Sequence, residues 1–320
     1  MMDLSVVLPV YNERESLSDL LSELARVLEP YRFEVIAVDD GSTDDSWSVL
    51  SQWQSEKPWL RLIQLRKNAG QTAAFDVGFR NASGRVIVTL DSDGQNDPAD
   101  IPKLLAKIDE GFDFVAGWRK SRQDGFWLRR LPSTIANGLI RSVTKTSLRD
   151  LGCSLKAYRA EVVRELRIYG EMHRFLGVLV EDLGARVSQL EVHHRPRVRG
   201  KSKYGLSRTF SVLVDLITVW FFQRYRSKPS RVFGTVGLAG MGVSLLLSAY
   251  VLWEKLAWDI WVHRNPLFII AAVFGIVGVQ FVGLGIMAEL SMRTYYEASE
   301  QVPYLIRERR GFDVRDIRVP

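Results

Sequence analysis

Asp91 and Asp93, with Gln95 two residues further on, bring two carboxylates and an amide out of one short stretch, VIVTLDSDGQNDPAD, from Val86 to Asp100. Hard oxygen donors of this kind suit Mg²⁺ or Mn²⁺ and leave positions open for the oxygens of a bound diphosphate. Asp-Ser-Asp-Gly is also ordinary turn chemistry, so the motif alone admits a metal site or a loop that closes on itself. Two other stretches carry acids in a similar setting, Tyr11-Asn12-Glu13 and Asp39-Asp40 ahead of Gly41. Asp150 stands alone before Leu-Gly-Cys, and a basic loop begins at Arg119-Lys-Ser-Arg122. An arginine fork can bond two phosphate oxygens at once, and a solvated basic loop is the alternative reading of the same residues.

The elements that must position these groups follow from hydrophobic pattern. Apolar runs at Leu4–Val10, Phe33–Val38, Leu60–Leu65, Val86–Leu90 and Phe114–Trp118 read as buried strands. Helices are expected from the Asn-Glu-Arg-Glu-Ser turn to about Leu28, from Asp45 to Gln54 and from Gln71 to Asn81. Alternating strands and helices predict a mostly parallel sheet that binds ligands at the carboxyl ends of its strands. Three of the first four strands end in acid-bearing loops. No G-x-G-x-x-G follows the first strand and no G-x-x-x-x-G-K-[ST] occurs, which disfavours a dinucleotide cofactor or a P-loop ATPase. A nucleotide held through base, ribose and metal-bridged diphosphate remains the economical use for such acids.

The chain has 320 residues, 47% of them hydrophobic, a formal net charge of +6 and one cysteine, Cys153. One cysteine excludes an intramolecular disulfide and any multi-cysteine zinc site, and Cys153 reads as core filler. His193-His194 invites a metal reading, but neighbours on a strand point to opposite faces, so a packing role is expected. The N-terminus carries no signal-peptide pattern, and the soluble part is expected to stay where it is made. The basic excess is local: ten Lys or Arg and a single acid lie between Arg195 and Arg231. Placed before a long apolar block, that cluster suits anionic lipid and phosphate rather than nucleic acid.

Val232–Trp253 and Leu267–Ala288 each run about 22 residues without a charge, enough to cross a hydrocarbon core of roughly 30 Å. Glycines in both permit close helix packing, within the chain or in a homo-oligomer. Trp253, Trp258 and Trp261 fall at the intervening loop, where indoles favour an interface. Thr209–Phe222, interrupted by Asp215, reads as an interfacial helix. Basic residues flanking the pair of spans place both termini in the cytoplasm, with the protein multi-pass in the inner membrane.

The joint pattern of LPVYNE at Leu8–Glu13, VDDGSTD at Val38–Asp44, NAGQTAA at Asn68–Ala74 and LDSDGQNDP at Leu90–Pro98 resembles the GT-A domain of family-2 glycosyltransferases. Within that family it is most similar to the polyprenyl-phosphate glycosyltransferases, and the likeness continues through Asp150–Arg159, His173–Phe175 and Gly200–Tyr204. The resemblance implies an α/β fold: a Rossmann-like GT-A domain over 1–205, interfacial helices over 206–230, a transmembrane hairpin over 231–290 and a cytoplasmic tail over 291–320. It implies that Pro9, Tyr11, Glu13, Asp39, Asp40 and Gln71 serve the nucleotide-sugar, and that Asp91, Asp93 and Gln95 meet the metal and diphosphate. Arg199, Lys201 and Lys203 would close over the diphosphate. Arg119, Arg129 and Ser133 would grip the lipid phosphate. Many relatives have Leu-Gln-Asp-Pro after the second acid, whereas this chain has Gly94-Gln95-Asn96-Asp97-Pro98, which keeps Gln95 in place.

The activity implied is inverting transfer of a sugar, from a UDP-sugar by expectation, to undecaprenyl or a related polyprenyl phosphate, the product passing to a flippase and a periplasmic transferase. Asp150 falls where relatives place an acid near the reacting centre. A phosphate monoester has a second pKa of about 6 and is already largely a dianion at neutral pH, so the expected role of Asp150 is orientation and electrostatic support. General-base catalysis is the alternative. A processive polysaccharide synthase is the competing enzyme, but its Gln-x-x-Arg-Trp pattern is missing from the sequence. A non-catalytic membrane scaffold is the competitor of another class, and it has no use for the full set of acids.

Overall fold

The computed structural model describes residues 2–120, 146–166, 168, 172–196, 230–259, 261–298 and 304–312. They belong to two units, one formed by 1–220 with 302–320 and the other by 221–301. Arg129, Ser133, Arg199, Lys201, Lys203 and the expected interfacial helix at 209–222 lie outside the described residues.

In the first unit Leu4–Val10 (β1) is buried at every position, and Phe33–Asp39 (β2) at all but the first. Near-continuous burial is what a strand covered on both faces needs. Leu60–Leu65 (β3), Val86–Thr89 (β4), Phe114–Trp118 (β5), Lys156–Arg159 (β6), Val187–Glu191 (β7) and Ile306–Arg310 (β8) complete an eight-stranded sheet of order β7-β5-β6-β4-β1-β2-β3-β8. The inner run β4-β1-β2-β3 is parallel, with Val7 beside Thr89 and Val10 beside Asp39. β6 runs antiparallel to β4 and β5, β7 runs parallel to β5, and β8 runs antiparallel to β3. This register carries the ends of β1, β2 and β4 to one edge, so the acid-bearing loops meet there as expected.

Helices cover both faces. Arg14–Leu28 (α1) buries Leu17, Leu20, Leu21, Leu24 and Leu28, an apolar stripe of helical period. Ser46–Glu56 (α2) follows β2, and Ile101–Asp109 (α4) buries Ile101, Leu104, Leu105 and Ile108. Gln71–Asn81 (α3) is buried along almost its whole length. It reaches that depth because Gly78 faces β1, where a Cβ would stand 2.2 Å from Val7 Cγ1. Two short helices, Ala160–Glu165 (α5) and Leu176–Asp182 (α6), follow β6.

β8 falls in the segment expected as a tail, and it forms an edge strand of the sheet instead. Tyr304, just before it, is buried, and its hydroxyl donates to Asp76 on α3 at 2.8 Å; Arg80 Nε donates to the same carboxylate at 2.7 Å. Arg310 lies over the Trp47 ring and Arg61 over Phe312, tying the strand to its neighbours. Tyr304→Phe, which removes one partner from a nearly buried carboxylate, is expected to destabilise this unit by about 1 kcal/mol. A thermal melt checks this, and an unshifted midpoint would show that the hydroxyl contributes nothing.

The second unit pairs Ser230–Trp258 (α7) with Pro266–Ala298 (α8). Within them, Phe233–Trp258 and Pro266–Ala288 are long and apolar enough to cross a membrane. The helices touch through glycine: a Cβ on Gly237 would lie 2.6 Å from Gly278 O, and one on Gly278 would lie 2.8 Å from Gly237 O. Ser244 Oγ adds a bond to Ala271 O at 2.7 Å. Outward positions such as Leu245, Leu246, Leu256 and Ile269 are exposed, a surface suited to hydrocarbon rather than water. Around the turn, Trp253 meets Trp258 edge-on at 4.6 Å, and Lys255 Nζ sits 3.8 Å from the Trp261 ring centre.

Candidate active site

The turn after β1 is built on Asn12, whose backbone takes a left-handed φ of 54°. Its Oδ1 accepts from Thr43 N at 2.7 Å and Asp44 N at 3.3 Å, while Ser42 Oγ and Ser46 Oγ accept from the N–H groups of Asn12 and Glu13. The loops after β1 and β2 are thereby stitched together, with Tyr11 and Glu13 held at the seam. The adjacent Asp39 and Asp40 are buried and fully hydrogen-bonded within this edge. Asp39 accepts from Ser42 N and Gln64 Nε2, and Asp40 accepts from Ala69 N at 2.7 Å and Gly70 N at 2.9 Å. Burial raises the Asp40 pKa against the lowering effect of those two N–H bonds. Asp40 thus fixes the start of α3, and with it Gln71.

Gln71 Nε2 in turn donates to Asp91 Oδ1 at 2.7 Å. The Asp91 carboxyl is pushed up to about 6, first by desolvation and then by the neighbouring charge of Asp93, against the pull of Ser154, Arg119 and Lys156. Asp93 Oδ1 accepts from Gln95 N at 3.1 Å, which curls the loop and leaves the Gln95 amide on the same turn. Ser92 anchors it, donating to Pro9 O at 2.8 Å while its own carbonyl accepts from Ser16 Oγ at 2.7 Å. Asn96 reaches Ser154 Oγ at 2.7 Å and bridges to His194. Arg195 donates its N–H to Gln95 O at 2.8 Å and its guanidinium to Glu23 and Asp97.

The residues present fit a divalent cation. No cluster of three or more His, Cys, Asp or Glu that could hold a metal occurs among the described residues. The donor set is two crowded carboxylates and an amide, incomplete by itself and suited to an ion that takes its remaining oxygens from substrate and water. His193 serves elsewhere: its side chain is exposed, and its N–H and Nδ1 lie 2.6 and 3.2 Å from oxygens of the buried Asp100, a structural contact.

Beside the carboxylates lies an ion pair whose partners are 31 residues apart. Arg119 Nε donates to Asp150 Oδ2 at 2.8 Å and Nη2 to Oδ1 at 3.0 Å, with side-chain exposures of only 11% and 6%. Arg119 N and Gly152 N add two more donors at 3.2 Å. The sequence reading gave Arg119 to the lipid phosphate and Asp150 to the reacting centre as separate groups; in the fold each occupies the other. Lys156 on β6 is buried next to them, its ammonium pushed down to about 8 chiefly by desolvation, and Cys153 is buried with its thiol pushed up to about 11. Thr72 Oγ1 meets His173 Nδ1 at 2.8 Å, fastening the turn Met172–Phe175 to the head of α3. Asn12, Ser92, Lys156 and Arg195 join the site only in the fold. A lysine inside the apolar stretch Leu155 to Tyr158 was the one signal available in the sequence.

A model of the Glycosyl transferase family 2 matches residues 5–167, which is more than half of the chain and contains the acid-bearing loops with Arg119, Asp150 and Lys156. The chain belongs to glycosyl transferase family 2. This family-2 glycosyltransferase is 39% identical over 313 residues to a dodecaprenyl-phosphate galacturonate synthase of Rhizobium johnstonii, with 96% of this chain and 93% of that protein aligned. It is 35% identical over 308 residues to an undecaprenyl-phosphate 4-deoxy-4-formamido-L-arabinose transferase of Edwardsiella ictaluri, with 95% and 93% covered. Among solved structures, the glucosyl-3-phosphoglycerate synthase of Mycobacterium tuberculosis in complex with Mn²⁺, uridine diphosphate and phosphoglyceric acid superposes with a TM-score of 0.54. That match has 20% identity and spans 69% of this chain and 78% of the other, a likeness of fold. The enzyme is accordingly a GT-A glycosyltransferase whose chain continues into two membrane-type helices.

Proposed function

We propose that the enzyme transfers a sugar from a UDP-sugar to the phosphate of undecaprenol or a related polyprenol, with inversion at the anomeric carbon. The observation that carries this reading is the meeting, at one sheet edge, of the Asp91/Asp93 pair with the Arg119–Asp150 pair, in a chain that aligns almost end to end with two polyprenyl-phosphate sugar transferases. A divalent cation, Mg²⁺ or Mn²⁺, bound by Asp91, Asp93 and Gln95 would neutralise the diphosphate as charge develops on it. Gln71 holds Asp91 in register for that task. Asn12, Ser42 and Ser46 position Tyr11 and Glu13 for the base and ribose. The Arg119–Asp150 pair orients the reacting groups. An oxygen of the lipid phosphate forms the new bond to the anomeric carbon, and the bond to the departing nucleoside diphosphate breaks with its electron pair.

The two membrane-type helices leave from and return to the same unit. This favours an even number of crossings, with the catalytic unit and both termini in the cytoplasm and the lipid-linked sugar formed for export. Arg129, Ser133, Arg199, Lys201 and Lys203 complete the phosphate contacts in this reading. The test is a panel of nucleotide sugars offered to purified protein with a polyprenyl phosphate and Mg²⁺ or Mn²⁺. The expected product is a lipid whose mass rises by one sugar residue and no more, lost when the cation is chelated. A growing polymer would replace this reading with a processive synthase, and no product from any donor would remove it.

A further inference from the structure

Among the described residues the acid groups of this edge are largely matched, and the ammonium of Lys156 is not. Lys156 is only 4% exposed and lies opposite Thr89 of β4 and Ala116 of β5. Its Nζ makes one long bond, 3.4 Å to Leu151 O, and forms no ion pair among the described residues. The carboxylates around it are engaged: Asp150 by Arg119 and Gly152, Asp91 by Gln71. The Cys153 thiol offers no counter-charge, because burial keeps it protonated. A buried ammonium with unfilled donors is costly, and folds that keep one ordinarily pair it. The contact with Leu151 O sets the ammonium beside the segment that carries Asp150, the residue on which Arg119 is held.

We propose that Lys156 is a substrate-binding residue that receives an anionic phosphate oxygen at the floor of the site, that of the acceptor monophosphate. This rests on the reading of the edge as a sugar-transfer site, and it adds to Arg119 a cation held ready by the sheet itself. It also explains why Arg119 can be committed to Asp150 without leaving the floor of the site short of positive charge.

The experiment uses the full chain in detergent and reads ligand-induced shifts in melting temperature. Probes are inorganic phosphate, a short-chain prenyl phosphate, and uridine diphosphate with Mn²⁺, against wild type, Lys156→Met, Lys156→Gln and Lys156→Arg. The neutral variants are expected to melt at or above the wild-type temperature, since an unmatched buried charge is removed. They should bind the prenyl phosphate about tenfold more weakly or worse, with uridine diphosphate binding retained. Lys156→Arg should recover part of the affinity. If the loss falls on uridine diphosphate alone, the phosphate is the donor's and the acceptor assignment is overturned. Unchanged affinities for all three probes, or a collapsed melting temperature in both neutral variants, would establish a structural lysine and overturn the proposal. None of these readouts needs sugar transfer. A wild type that binds prenyl phosphate through Lys156 yet yields no glycolipid would sink the proposed function and leave this assignment standing.

Discussion

Asp150→Asn is expected to lower turnover about 10²- to 10³-fold while leaving the acidic limb of the pH–rate profile in place. The reason is geometric. Four N–H groups, from the Arg119 side chain, the Arg119 backbone and Gly152, already point at the two Asp150 oxygens. A carboxylate clothed in this way is built to hold a cation in place rather than to lift a proton, and a phosphate acceptor with a second pKa near 6 has little proton to give. An asparagine would turn an amide donor toward the guanidinium and strip a nearly buried arginine of its counter-charge. Breaking such a pair from one side costs about 3–5 kcal/mol, so the melting temperature should fall together with turnover. Pulling Arg119 back with lysine should reproduce much of the loss, because a point charge cannot bond both oxygens in the plane of the fork. A variant that kept its affinity for donor and acceptor but lost both turnover and the acidic limb would identify Asp150 as the base and defeat the positioning account.

The second large effect separates stability from catalysis at Asp91. Asp91→Asn should abolish measurable turnover, a loss of about 10³-fold or more, yet stabilise the metal-free protein at neutral pH by about 1–2 kcal/mol. The folded-state carboxyl titrates at about 6, above the ordinary aspartate value near 3.9. Between those two pH values the unfolded chain has released a proton that the folded one retains. Stability therefore falls as pH rises from about 4, and the full penalty is in force above about 6. Asparagine has no charge to develop there, so its advantage should be absent at pH 4 and complete by pH 7. Thermal melts in chelator at pH 4 and 7.5 read this directly, and added Mn²⁺ should raise the wild-type midpoint while leaving the variant's unchanged. An asparagine variant no more stable at pH 7.5 than at pH 4, relative to wild type, would mean that Asp91 carries no such strain.

Much of this could be read before the fold was known, and the boundary is a physical one. β1, β3 and β5 fall where their apolar runs begin and end and β2 runs one residue past its own, to Asp39, because strands covered by helices on both faces must be largely apolar. Acids placed after such runs must surface at one edge, so the convergence of Tyr11, Glu13 and Asp91 was legible from local pattern alone. Which acid does what was not. Asp39 and Asp40 look alike in sequence, yet Asp39 accepts from Gln64 and Asp40 from Ala69 and Gly70, partners that no local pattern announces. The Arg119–Asp150 pair joins β5 to a loop before β6, and nothing local announces a partner so far along the chain. Lys156 stands in an apolar stretch, but only the closing of its neighbours over it shows that its charge is buried. β8, written IRERR, has the charge expected of a segment in water, and it is a strand because β3 offers it an edge.

That edge has a practical consequence for handling the enzyme. The hairpin is spliced into the chain between β7 and β8, so cutting the protein before residue 230 to make it soluble would discard the outermost strand along with the anchor. β3, LRLIQL, would then present a bare row of N–H and C=O groups on a largely apolar strand, a template for adding strands from other copies. A water-soluble catalytic unit is better made by excising 221–301 and rejoining the flanks through a polar linker, which keeps Tyr304 and its strand in the sheet.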